Sequence, residues 1–367
     1  MTAAWLLEIR RRPRRFGPLT IALAALAFLS LAVAALADGL LLASTGSLRS
    51  TDADLYVYAD VARGSATASV LPLELTTPTI HVPGVAGAGP VTYVPTTADV
   101  GGPDDTGVVV VGFSQAFPGQ PAKLRAGRLP RDGEPGVAAV DARLLEGSTA
   151  VGGTVSVAGR SLEIVGVVED AGYLLQPTVW VPPYEAVRVR AATWPEMGVE
   201  EGLASLIAVQ LLDGADAQTV AADIDATLEE TATLTATEAY RAIPGVGAQQ
   251  STLRAVVVVT ATGAALIAAL FVSLLALDRR RLLRTLVALG AERRDIVGGA
   301  LLQAAACAAV GIAGAAAGLV LLRVGLPDTV PFALRPTTVA VVAVGVLVAT
   351  AAGGGFASGA LRRAAAR

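Results

Sequence analysis

Four long stretches without a single formal charge constrain this chain more than any other feature. Pro18–Ala37, Ala255–Leu277, Ile296–Leu322 and Pro336–Leu361 contain no Asp, Glu, Lys or Arg. Each reaches the roughly 20 residues that a helix needs to cross a hydrocarbon core about 30 Å thick. Residues 46–252, far more polar, separate the first stretch from the other three. The expected fold is a membrane protein of four transmembrane α-helices, arranged 1 + 3, with a large α+β extracytoplasmic domain between helices 1 and 2. A mean hydropathy of +0.61 and 53% apolar residues agree with this.

Charge sets the orientation, because Lys and Arg in short loops favour the cytoplasm. Arg10, Arg11, Arg12, Arg14 and Arg15 precede the first stretch. Arg279, Arg280, Arg281, Arg284, Arg293 and Arg294 lie between the second and third, and Arg362, Arg363 and Arg367 follow the fourth. The expected order is a cytoplasmic N-terminus (1–17), helix (18–45), outer domain (46–252), helix (253–277), cytoplasmic loop (278–295), helix (296–322), outer loop (323–335), helix (336–361) and cytoplasmic C-terminus (362–367). The first apolar stretch is longer than a signal-peptide core and resumes after Asp38 with Leu40, Leu41 and Leu42, so it reads as a retained helix. Asp38 then falls near the outer interface.

The overall charge of −3 hides a segregation. Residues 46–252 hold 25 Asp plus Glu against 11 Lys plus Arg, a net of −14. An acidic exterior argues against nucleic acid as a partner. Rare residue types exclude further classes. The chain has one histidine, His81, one cysteine, Cys307, and one lysine, Lys123. Lys123 is followed by Leu124, so no phosphate-binding Gly-x-x-x-x-Gly-Lys-Ser/Thr loop exists and the chain cannot be a P-loop ATPase by itself. A Cys/His zinc site lacks ligands. His81, within Thr79-Ile80-His81-Val82-Pro83, reads as part of an extended loop or edge strand, with no nucleophile signature near it. No catalytic, cofactor-binding or metal residues are therefore assigned.

Within the outer domain, residues 55–58, 108–111, 178–181 and 206–211 read as strands, and 155–157 with 162–168 as a hairpin turning at Ala158-Gly159-Arg160. Helices are expected over 141–146, 183–191 and 217–229, the last with Val220, Ile224 and Leu228 on one face. Pro and Gly clusters over 78–103 and 118–136 read as loops or a subdomain border, and residues 116–202 as a possible inserted lobe. Residues 249–254 can start a helix that continues into the second membrane segment.

The cytoplasmic loop is amphipathic. Leu282, Leu283, Leu286 and Leu289 recur at helical spacing, Arg280, Arg281 and Arg284 occupy the other side, and Gly290 suits a helix-ending position. Such a helix can lie on anionic lipid or dock a cytoplasmic partner. Gly311, Gly314 and Gly318, with Gly355 and Gly359, give small-residue spacings that let membrane helices approach closely, within one chain or across a dimer. Gln303 is the main polar side chain of the third apolar helix.

The segment Thr285-Leu286-Val287-Ala288-Leu289-Gly290-Ala291-Glu292-Arg293-Arg294 resembles the loop after the second helix of FtsX-like, MacB-type ABC permeases; Leu282 and Val287 depart from that pattern. Leu124-Arg125-Ala126-Gly127-Arg128-Leu129, Gly136-Val137-Ala138-Ala139-Val140-Asp141, and Val151-Gly152-Gly153-Thr154-Val155 with Ile164-Val165-Gly166-Val167-Val168 are similar to steps of the same family's outer domain, with Gly153 where Asp is common. The resemblance implies a permease subunit, not an enzyme, with ATP and Mg bound only by a separate cytoplasmic ABC ATPase. It implies ATPase coupling through Arg280, Arg281, Leu282, Leu283, Arg284, Leu286, Leu289 and Gly290. It also implies a second permease copy or a homologous permease, membrane lipids around the helices, and a multi-pass place in the cell membrane. An FtsX-type regulator of cell-wall hydrolases and a membrane-anchored receptor are the alternatives.

Overall fold

The computed structural model describes residues 13–99, 101, 105–145, 151–197, 202–278, 293–326, 330–333 and 335–366. Two compact units emerge: Leu40–Gln249, and residues 1–39 together with 250–367.

The first unit is built on one sheet. Its strands are β1 (Leu55–Ala59), β3 (Val85–Asp99), β4 (Thr106–Gly112), β5 (Leu124–Gly127), β6 (Val137–Asp141), β7 (Thr154–Val157), β8 (Arg160–Val168), β9 (Thr178–Val181), β11 (Leu206–Leu211) and β12 (Thr231–Thr235). They follow the order β12-β1-β11-β3-β4-β9-β6-β8-β5, with β7 bridging β3 and β8. Two-residue β2 (Leu71–Pro72) and β10 (Leu203–Ala204) pair separately. Pairing is mostly antiparallel, but β4–β9 and β6–β8 are parallel.

The period of two places alternate residues on opposite faces. On β1, Tyr56 and Tyr58 enter one buried cluster, while Leu55 and Val57 enter another. On β4, Val109 and Val111 share the tyrosine face, while Val108 and Val110 look the other way. That second face is covered by α3 (Pro183–Thr193), through Ala186 and Val189, and by α4 (Ala217–Thr227), through Val220, Ala221 and Ile224. Strands buried on both faces explain the near-continuous Val/Ile runs of the sequence.

The long strand β3 occupies a segment whose Pro and Gly content suggests loop. It pairs with β11 as far as Val91 and with β4 from Thr92 onward. Pro90 and Pro95 thus each lie where only one flank is paired, the position at which a missing N–H costs the ladder nothing. Of the helix expected over 141–146, residue 146 lies outside the described residues, and Ala142–Leu145 form a 3₁₀ turn in which the Asp141 carboxylate takes the Arg143 N–H at 2.9 Å. His81 lies in no strand. It ends the short helix α2 (Thr76–Ile80), where its Nδ1–H donates to Thr77 O at 2.7 Å. The hairpin turn uses Ala158 and Gly159, both at positive φ, as a tight two-residue connection requires. Helix α5 (Ala236–Ala242) starts on a reciprocal cap between Thr235 and Glu238.

Four long helices carry the apolar stretches: α1 (Pro13–Arg49), α6 (Val246–Asp278), α7 (Arg293–Gly325) and α8 (Pro336–Ala366). Among the described residues, Phe16–Arg49 and Leu301–Gly325 are long and apolar enough to cross a membrane, and Pro336–Ala352 is a shorter apolar stretch. In the second unit α1 is central. Leu19, Leu23, Ala27 and Leu31, four residues apart, form its buried stripe against Ala264 of α6, Cys307, Ala308, Ala315 and Leu319 of α7, and Val342 and Val346 of α8.

Candidate functional site: the helix-to-domain junction

The last turns of α1 are joined to the sheet through main-chain atoms. Ser47 N donates to Gly172 O at 2.8 Å, and Leu174 N donates to Ser44 O at 3.1 Å. These bonds need two backbones to meet, and the local glycines permit it. A Cβ on Gly46 would collide with Asp170 O, and one on Gly172 would lie 2.6 Å from Ala43 O.

Tyrosines complete the joint. Tyr56 Oη donates to Leu48 O at 2.6 Å and lies 2.6 Å from Thr51 Oγ1. Tyr93 Oη donates to Ser47 Oγ at 3.4 Å, and its ring packs on Tyr173, centroids 4.9 Å apart. Tyr173 Oη accepts the Ala66 N–H at 2.9 Å. Arg49 lies over the Tyr240 ring at 5.9 Å, within range of a cation–π contact. Burial raises the Tyr56, Tyr58 and Tyr93 hydroxyls well above their ordinary range and pushes Tyr173 up to about 12, because the charged form would lose its water. At neutral pH all four hydroxyls are therefore neutral. Helix α6 starts in the same cluster: Val246 is buried with Leu48, Tyr56, Tyr93 and Trp180, beside Ala239 and Ile243.

The loop that receives α1, residues 169–177 between β8 and β9, is held by an ion pair. Asp141 is 1% exposed and takes Arg143 Nη2 at 2.8 Å; the same Nη2 reaches Gln176 O at 3.3 Å. A second buried carboxylate, Glu185, is paired with Arg160 at 3.0 Å beneath α3. The Gly127-Arg128 step has a physical basis. Gly127 sits at φ +73 where a Cβ would strike Val165 O, and Arg128 forks onto Glu134 at 2.6 and 2.8 Å, drawing that carboxyl down to about 2.

In the helical unit, a Cβ on Gly311 would meet Ala24 N at 3.0 Å and Thr20 O at 3.2 Å, and one on Gly318 would touch the Phe28 ring at 3.4 Å. Gly314 has nothing within 4 Å. So Gly311 and Gly318 face α1, and Gly314 does not. Gly355 and Gly359 lie within α8. Ser30 Oγ donates to Thr260 Oγ1 at 2.7 Å, linking α1 to α6. Near the upper end of α1, Thr338 Oγ1 donates to the Asp38 carboxylate, Ala333 N donates to Ala35 O at 3.1 Å, and Gly39 lies against Pro331 O. Gln303 and Cys307 are buried in this unit. Arg280, Arg281, Leu282, Leu283, Arg284, Leu286, Leu289 and Gly290 lie outside the described residues.

Among the described residues no group of three or more His, Cys, Asp or Glu could hold a metal. A groove of about 430 Å³ is lined by Asp54, Leu212, Asp213, Ala217 and Thr235, and two of its polar side chains serve the fold. Asp54 Oδ2 accepts Leu211 N, and Thr235 caps α5. The joint had no signature in sequence, because its partners are main-chain atoms more than 120 residues apart. The one cue was the pair Gly46 and Gly172, which no periodicity singles out.

The family described as MacB-like periplasmic core domain matches residues 19–227, and the FtsX-like permease C-terminal family matches residues 254–366. The chain belongs to the FtsX/MacB-type ABC transporter permeases. Permeases of this type generally have no enzymatic activity of their own and work with a cytoplasmic ABC ATPase. Its structure is similar to the extracellular domain of the noncanonic ABC-type transporter YknZ from Gram-positive bacteria (TM-score 0.34, 16% identity, 50% of this chain and 99% of that one). It is also similar to the periplasmic region of MacB from Actinobacillus actinomycetemcomitans (TM-score 0.37, 13% identity, 52% and 92%). No curated protein matches the chain.

Proposed function

We propose that this permease is a transducer. A separate cytoplasmic ATPase moves the 278–295 loop, α1 and α6 relay the movement, and the outer domain uses it to export or extract a lipid, lipoprotein, peptide or drug. In this reading α1, α6, α7 and α8 all cross the cell membrane, both termini are cytoplasmic, and residues 46–252 face outward. Helices of 31 to 37 residues exceed what a roughly 30 Å core requires, and the arginines flank the sides assigned to the cytoplasm. ATP and Mg belong to the partner, and two permeases, identical or homologous, pair with two ATPases.

The observation that carries this reading is the shared anchoring of two helices. Leu48 of α1 and Val246 of α6 are buried in one cluster of the outer domain, and each helix continues without a break into its apolar stretch. Two rigid elements that end in one core can carry displacement into it. The test is affinity purification in mild detergent of the native chain and of a Leu286→Asp/Leu289→Asp variant. An ABC ATPase is expected with the first and not with the second, both chains being membrane-inserted. Equal yields of ATPase would refute the docking assignment. A native preparation free of any ATPase would refute the transducer.

A further inference from the structure

The outer end of α1 is seated in the domain by atoms that side-chain chemistry alone would not select. From their arrangement we infer that the 169–177 loop is the socket through which α1 drives the sheet, and that Arg143 is the residue that positions it. The inference rests on the transducer reading and adds the place where force enters the domain.

Three observations converge. The loop touches α1 by main-chain hydrogen bonds at two successive levels, Leu174 N to Ser44 O and Ser47 N to Gly172 O. Both surfaces are stripped of Cβ atoms where they meet, at Gly46 against Asp170 O and at Gly172 against Ala43 O. The loop is then tied to the sheet from behind. The Arg143 guanidinium spans the buried Asp141 carboxylate at the end of β6 and the Gln176 carbonyl, and it packs directly under Gly172. Tyr173 adds the bond from Ala66 N and a tilted ring contact with Tyr93, whose hydroxyl reaches Ser47. A push on α1 therefore meets backbone, then Arg143, then a strand in the sheet. A lysine at this position keeps the charge but lacks the planar fork that engages Asp141 and Gln176 together.

The test uses the full chain with its co-purified ATPase. Amide hydrogen exchange is followed at residues 44–48 and 170–176, with β4 and β9 as internal controls. The variants are Gly172→Ala, Arg143→Lys, and the paired Asp141→Asn/Arg143→Gln, which leaves no lone buried charge should Arg143→Lys fail to fold. Exchange at Ser47 and Leu174 should rise roughly tenfold or more, as local opening replaces closed hydrogen bonds. The strand controls and ATPase co-purification should stay at native levels, and the ATP-driven response of the outer domain should be lost. Native exchange at both amides in the Arg143 variants would overturn the positioning role of Arg143. Faster exchange with an intact ATP response would overturn the socket as the place where force enters the domain. If the native complex itself shows no ATP response, the transducer reading fails, and the inference fails with it.

Discussion

Tyr58 and Tyr173 are both buried in the outer domain, yet their hydroxyls differ. Tyr173 Oη accepts a backbone N–H, whereas Tyr58 Oη has no hydrogen-bond partner among the described residues. Replacing a satisfied group strands the one it served, while removing an unsatisfied one strands nothing. Tyr173→Phe should cost about 1–2 kcal/mol, and Tyr58→Phe should be neutral or stabilising by about 1 kcal/mol, as chemical denaturation can measure. The same tyrosines set an alkaline limit. Their folded pKa values are raised, so their contribution is complete below the ordinary tyrosine value of about 10 and is lost as pH rises through the folded values, about 12 for Tyr173. Absorbance at 295 nm should show Tyr56, Tyr58, Tyr93 and Tyr173 ionising together with unfolding above about pH 10. Independent titration of each in a folded chain would contradict this.

Among the elements, α1 and α7 meet at glycine. Gly311→Ile would press a branched side chain into the α1 backbone, and overpacking of this kind costs about 1–3 kcal/mol. Gly314→Ile, directed at open space, should stay within about 0.5 kcal/mol. Thermal unfolding of the detergent-solubilised chain compares the two. A loss of dimer on Gly314→Ile alone would instead assign that position to a contact between copies. Legibility from sequence varied in the same physical way. Strands such as β1, β4, β9 and β11 were readable because they concentrate Val, Ile, Tyr and Leu between turn residues. The hairpin was readable because Gly159, which takes positive φ freely, separates two runs of alternating apolar residues. Strand β3 was not, since Pro90 and Pro95 suggest a loop until its single-flank pairing is known. Strand β12, Thr-Ala-Thr-Leu-Thr, carries one apolar anchor, Leu234, too weak a period to see. The extended state expected around His81 gave way to a one-turn helix held by local hydrogen bonds.

For the whole molecule, charge-free stretches and arginine placement were enough to suggest a four-helix membrane protein, because bilayer solvation acts on composition and needs no tertiary detail; the permease class came from the resemblance of the loop and outer-domain motifs. The hydrogen-bonded joint between α1 and the 169–177 loop was illegible, since it is written in backbone atoms brought together by the finished fold. The central claim is that ATP hydrolysis inside moves the domain outside. It is tested most directly by pulsed electron-paramagnetic resonance on the reconstituted two-permease, two-ATPase complex. A single spin label would sit at exposed Val61, in a chain whose native thiol is removed by Cys307→Ser. The distance between the two labels should shift by more than its own width between the nucleotide-free and the ATP-vanadate-trapped complex. Superimposable distributions in the two states, with the ATPase bound and hydrolysing, would contradict the account.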